Sequence, residues 1–162
     1  MAIRLLKVVL LALVALLALL YAAQNVANLD AALQAVAYVL RMDDHAVYPD
    51  TVGVAIDSPA VAALALSVII AGEMAAGLFA AKGAWDLWAA RSDAPAAFQA
   101  AKTWGLLGCG LGLVVWMGLF AVVGGAFFQM WQTPAGSASL AGAFQYASLC
   151  AFVLLFVNMP DA

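Results

Sequence analysis

Glu73 is the only charged residue between Asp57 and Lys82, in a run, "SPAVAALALSVIIAGEMAAGLFAA", that otherwise reads as membrane-spanning. A carboxyl in such a place has two chemistries open to it. It can tie helices together as a hydrogen-bonded or ion-paired group, or it can titrate as part of a proton path. Leaving it ionised against hydrocarbon would cost several kcal/mol, so it is expected to face other helices. Counted from Val61 at about 1.5 Å per residue it lies about 18 Å along its helix, past the midplane of a core about 30 Å thick and toward the cytoplasmic side. Gly72 and Gly77 thin the helix around it. The expected partners are the ring N–H of Trp104 or of Trp116, the hydroxyl of Ser148, a folded-in Lys82 or Lys102, or a group on a partner chain.

Other reactive side chains are few. Cys109 and Cys150 both fall in apolar runs and neither has a CxxC partner, so free thiols are expected. The single histidine, His45, stands beside Asp43 and Asp44 in "MDDH", which reads as a solvated acidic turn and not as a metal site. Paired-histidine haem ligation is excluded within this chain. No phosphate-cradling glycine loop or nucleophile elbow occurs, so neither a catalytic residue nor a cofactor is expected. A net charge of -3 without a basic patch excludes nucleic acid as a partner.

The elements that hold these residues are membrane helices. Hydrophobic residues make up 68% and charged residues 9% of the 162, and the mean hydropathy of +1.06 is far above that of soluble domains. Spans of about 20 apolar residues are needed to cross. Four are expected, at about 5–27, 59–81, 103–128 and 140–157, the last two divided by "QTPAGSAS". The first resembles a signal peptide but lacks a convincing small-x-small cleavage pattern, and is read as a retained helix. Between the first two spans, Leu29, Val36 and Leu40 recur with Leu33 at helical spacing, which predicts a short interfacial helix over 29–41 on the outer membrane surface. The fold class expected is therefore all-α: one integral membrane four-helix bundle, with that interfacial helix in its first periplasmic loop.

Five of the six basic residues, Arg4, Lys7, Lys82, Arg91 and Lys102, share one side of this map, which predicts that both termini are cytoplasmic in a bacterial inner membrane. Gly105, Gly108 and Gly112 line one face of helix three with Ala101, a small-residue seam that seats a neighbouring helix. Tyr21, Trp85, Trp88, Trp104 and Trp131 fall near helix ends as interface anchors. Trp116 lies well inside helix three, where its ring N–H wants an acceptor. Trp131 and Gln132 precede the turn at Pro134 and Gly136, and Trp131 is expected to pack under the 29–41 helix as a periplasmic cap.

Four segments, "VLRMDDHAVYPDT", "IIAGEMAAG", "DAPAAFQAAKTWGLLGCGLG" and "VVGGAFFQMWQT", together resemble the bacterial predicted small integral membrane proteins, a domain of unknown function. The resemblance runs from about Asn25 to the C-terminus. It implies four helices and implies that Glu73, Lys102, Met130, Trp131 and Gln132 occupy recurring positions. Where that pattern has an acidic residue and a tryptophan after paired glycines, this chain has Ala126 and Phe127. The family implies no activity. The function expected from the residues is that of a small accessory or assembly subunit of a larger inner-membrane complex, with respiratory or photosynthetic electron transfer as a host class, partnered by lipid and other membrane subunits. The competing expectation is a proton or small-solute pathway in a homo-oligomer, using Glu73.

Overall fold

A computed structural model describes residues 1–48 and 50–161, and every regular element among them is helical. The first helix, α1, runs Ala2–Ala27 and stops at Asn28, whose backbone leaves helical geometry at φ -120° and ψ 42°. The chain resumes at once as α2, Leu29–Arg41, which ends where Met42 turns left-handed at φ 57°. Ser58 caps the next helix by accepting from the Val61 N–H, and Pro59 occupies its first turn, where a missing N–H costs nothing. This α3 continues to Ala89, eight residues beyond the expected 81. The reason is that Lys82 and Asp86 pair across one turn at 2.8 Å, so charge there supports the helix instead of ending it.

A short α4, Pro95–Ala100, leads into α5, Thr103–Leu113, which widens into a π-helix over Val114–Phe127. After a single 3₁₀ turn at Met130–Gln132, the last helix, α6, runs Pro134–Asn158. Its start is six residues earlier than the expected 140. Pro134 and Gly136 read as turn residues, but Thr133 accepts from the Gly136 N–H and turns Pro134 into a helix start. Among the described residues four segments are long and apolar enough to cross a bilayer: Ala2–Ala27, Pro59–Ala89, Pro95–Phe127 and Pro134–Asn158. Both termini thus lie at one end of the bundle, called the terminal end here; the opposite, loop end carries residues 42–58 and the 3₁₀ turn.

Small residues dominate the core, which joins Leu11, Val14 and Ala18 of α1 to Ala76, Ala80 and Leu87 of α3 and to Cys109, Cys150 and Val157. A second cluster forms where Leu33, Val36, Ala37 and Leu40 of α2 meet Ala62 and Ala65 of α3. The Ile56 N–H donates to the Leu40 carbonyl at 2.8 Å and closes that corner. At about 1.5 Å per residue, the 31 residues of α3 extend about 46 Å, more than one crossing requires. Its first turns rise beside α2, and only the remainder lies beside α1.

Candidate functional site

Glu73 is buried at 1% exposure and accepts a hydrogen bond from Asn25, whose Nδ2 lies 2.9 Å from Oε2. None of the partners expected within the chain takes this role. Trp104 stacks edge-on against Phe79, Lys82 pairs with Asp86, and the Ser148 hydroxyl donates to the Phe144 carbonyl of its own helix. Lys102 is committed to the terminal end. Asn25 sits in the last turn of α1, so the carboxyl is level with the loop-side end of that helix. Along α3 it stands twelve residues beyond Val61, because α3 starts beside α2 and only later runs beside α1.

Next to this pair a cavity of about 1000 Å³ opens between α2, the first half of α3 and the π-helical segment. Asn25 lines its end, and Val36, Leu64, Val68, Leu119 and Val123 are among its walls. The break at Asn28 creates it, since α2 diverges from the line of α1 while α3 and the third span continue. The π-helix has a related effect, because a wider helix shifts the side chains beyond it relative to an α-helical register.

Trp116 is buried at 2% exposure in an aromatic cluster, with ring centroids 6.4 Å from Tyr21 and 5.5 Å from Tyr146. It therefore packs α5's continuation against α1 and α6 and does not meet Glu73. The seam of Gly105, Gly108 and Gly112 is used within the chain. A Cβ on Gly83 would collide with the backbone of Gly105, and one on Gly108 with the backbone of Ala80, so α3 and α5 touch main chain to main chain. Gly112 faces Cys150 of α6, where an added Cβ would come 2.8 Å from the sulfur. Both cysteines are free thiols.

The terminal end holds a second polar centre that the sequence did not reveal. Lys7 and Lys102, each at 1% exposure, both donate to the Asp161 carboxylate, Lys7 at 2.8 Å. Both also donate to the Met159 carbonyl, at 2.6 and 2.8 Å, and Lys102 reaches the Gln99 side chain at 2.7 Å. Burial works against the charge on Asp161, but hydrogen bonds from Lys102 and Lys7 and their positive charge hold its carboxyl below the usual carboxylate range. Arg4 donates to the carbonyls of Arg91 and Asp93 at 3.2 and 2.7 Å, and lies over the fully buried ring of Phe98. The start of α1, the loop after α3, α4 and the chain after α6 are joined by these contacts. Only Lys102 had a signal in the sequence, as a recurring position of the family; Asp161 is legible only once α6 returns alongside α1.

At the loop end Trp131 is half-exposed and stacks on Tyr48 with centroids 5.2 Å apart, instead of packing under α2. The side-chain Oε1 of Gln132 accepts from the backbone N–H groups of Val47 and Tyr48 at 2.8 and 2.9 Å, and its Nε2 donates to the Gln129 side chain at 2.7 Å. The cap is thus built on the loop after α2. Asp43 and Asp44 bond to Arg41 and Tyr38, and no group of three metal-ligating side chains occurs among the described residues.

The DUF2165 family model, described as "predicted small integral membrane protein", matches residues 3–160. No curated protein and no solved structure matches the chain.

Proposed function

We propose for this chain, which belongs to the DUF2165 family of predicted small integral membrane proteins, the role of a small accessory or assembly subunit of a larger membrane complex, without catalysis of its own. One observation supports this reading above the others: among the described residues the buried charged side chains lie in two groups, at opposite ends of α1, with apolar packing between them. Glu73 is taken by Asn25, and Lys7 and Lys102 are taken by Asp161 and Met159. On α1 these sites are about 27 Å apart at about 1.5 Å per residue, with Leu11, Val14, Ala15 and Ala18 buried between them. A proton path needs polar groups or water at intervals, and on α1 the thirteen residues from Val8 to Leu20 carry no donor or acceptor side chain.

The placement we propose is a bacterial inner membrane with both termini cytoplasmic. Arg4, Lys7, Lys82, Arg91 and Lys102 at the terminal end support it, against Arg41 with Asp30, Asp43, Asp44, Asp50 and Asp57 toward the loop end. Inner-membrane electron-transfer assemblies are the host class we carry forward. The rival reading, a proton pathway through Glu73, is tested by reconstituting the purified chain in liposomes with a pH-sensitive dye. The accessory reading expects proton flux equal to that of protein-free liposomes. Flux that is present in the wild type and absent in Glu73→Gln would establish the pathway instead.

A further inference from the structure

The cavity beside Asn25 lies in the outer half of the bundle by the orientation above, and its size of about 1000 Å³ is at the upper end of the range for small-molecule sites. Its walls at Val36, Val68 and Val123 are apolar. Leu64 at 65%, Val68 at 48% and Val123 at 43% exposure mark a side open toward lipid. The end next to Glu73 is different. Asn25 gives one Nδ2 hydrogen to Glu73, which fixes the sense of its amide. A primary amide has a second N–H and a carbonyl oxygen with two lone pairs. The Oδ1 of Asn25 has no hydrogen-bond partner among the described residues, and the residue is only part-buried because it borders the cavity.

We propose that this cavity binds an uncharged lipid bearing a hydroxyl, with the hydroxyl on the Asn25 amide and the apolar body between α2, α3 and the π-helical segment. A hydroxyl both donates and accepts, which matches the free carbonyl and the free N–H of Asn25 together. A charged head does not fit at that end. The one basic side chain among its lining residues, Arg41, stands at the far end of α2 and is paired with Asp43 at 2.7 Å; a carboxylate or phosphate beside Asn25 would lie close to Glu73, and an unpaired charge there would lose its hydration without replacement. Glu73 acts as a positioning residue, since by holding one N–H it leaves Oδ1 for the ligand. Diacylglycerols and isoprenoid alcohols or quinols share this chemistry.

The test uses the full chain in lipid nanodiscs and a photoreactive diazirine hexadecanol, with labelled peptides located by mass spectrometry. Saturable labelling within residues 32–40, 61–69 and 119–124 is expected. It should fall about tenfold in Asn25→Leu and in Val68→Trp, which fills the cavity from a half-exposed position, and a hexadecanoic acid analogue should label the same peptides far less. Unlabelled diacylglycerol and geranylgeraniol are added separately as competitors; displacement by one identifies the source. Labelling that is spread equally over the lipid-facing residues of α6, such as Phe152, or that neither variant nor either competitor reduces, overturns the proposal. Should Asn25→Leu fail to fold, Val68→Trp and the competition decide the matter by the same criteria.

Discussion

Replacing Asp161 with Asn removes one negative charge and leaves the shape almost unchanged, yet it should be among the most damaging single changes at the terminal end. Lys7 and Lys102 are both 1% exposed and share that one carboxylate, whose side chain is itself 4% exposed. Breaking a buried ion pair by removing one partner typically costs about 3–5 kcal/mol, because the remaining charge is left without compensation. Asn can still accept a hydrogen bond and the Met159 carbonyl remains, so the low end, about 3 kcal/mol, applies. For a chain of this size that corresponds to a fall of about 6–12 °C in Tm. The assay is thermal unfolding in a fixed mild detergent, followed by the accessibility of Cys109 and Cys150 to a thiol dye. Adding Lys7→Met and Lys102→Met to Asp161→Asn should recover most of the loss, since an apolar replacement needs no counter-charge. The pH dependence carries its own sign. The folded carboxyl titrates below its ordinary value of 3.8, so its contribution is complete above about pH 4 and is lost as pH falls through the lower folded value. The gap in Tm between wild type and Asp161→Asn should therefore close under strongly acidic conditions. A fall of less than about 2 °C at pH 7, or a triple variant no better than the single one, would refute the reasoning.

Gly83→Val should destabilise the bundle by about 1–3 kcal/mol or more through collision with the Gly105 backbone, whereas Gly110→Ala, with open space around it, should be neutral in the same unfolding assay. Gln132→Ala removes two acceptor contacts from the 47–48 backbone and should speed proteolysis of the 42–58 loop several-fold without lowering the stability of the bundle by more than about 2 kcal/mol; unchanged proteolysis counts against the cap. Glu73→Gln retains an acceptor for Asn25 and should unfold within about 1 kcal/mol of wild type, while Glu73→Leu strands a polar amide and should cost about 1–3 kcal/mol; equal stability of the two contradicts a structural tie.

The four crossings were legible because uninterrupted apolar runs of the right length have few alternatives in water or lipid. Their ends were less so. Pro134 reads as a breaker unless Thr133 is seen to cap it, and Lys82 reads as the end of a span unless its pairing with Asp86 is seen to continue the helix. The face formed by Gly105, Gly108 and Gly112 is visible in the sequence as a seam, but Gly83, which it meets, lies beyond the apolar run that marks the second span. That Glu73 must point inward followed from solvation alone. Its partner did not, because Asn25 comes within reach of Glu73 only through the way α1 packs beside α3, a fact of tertiary register and not of spacing. Asp161 stood alone after a long uncharged stretch, and its role depends on three segments that are distant in the chain.

The central claim, that this chain is an accessory subunit, is tested most directly by native mass spectrometry of the tagged protein extracted in mild detergent at its natural expression level. A heteromeric assembly with this chain in fixed, whole-number stoichiometry is expected, its activity unchanged by Glu73→Gln. A lone chain or a homo-oligomer in every mild detergent tried would contradict it.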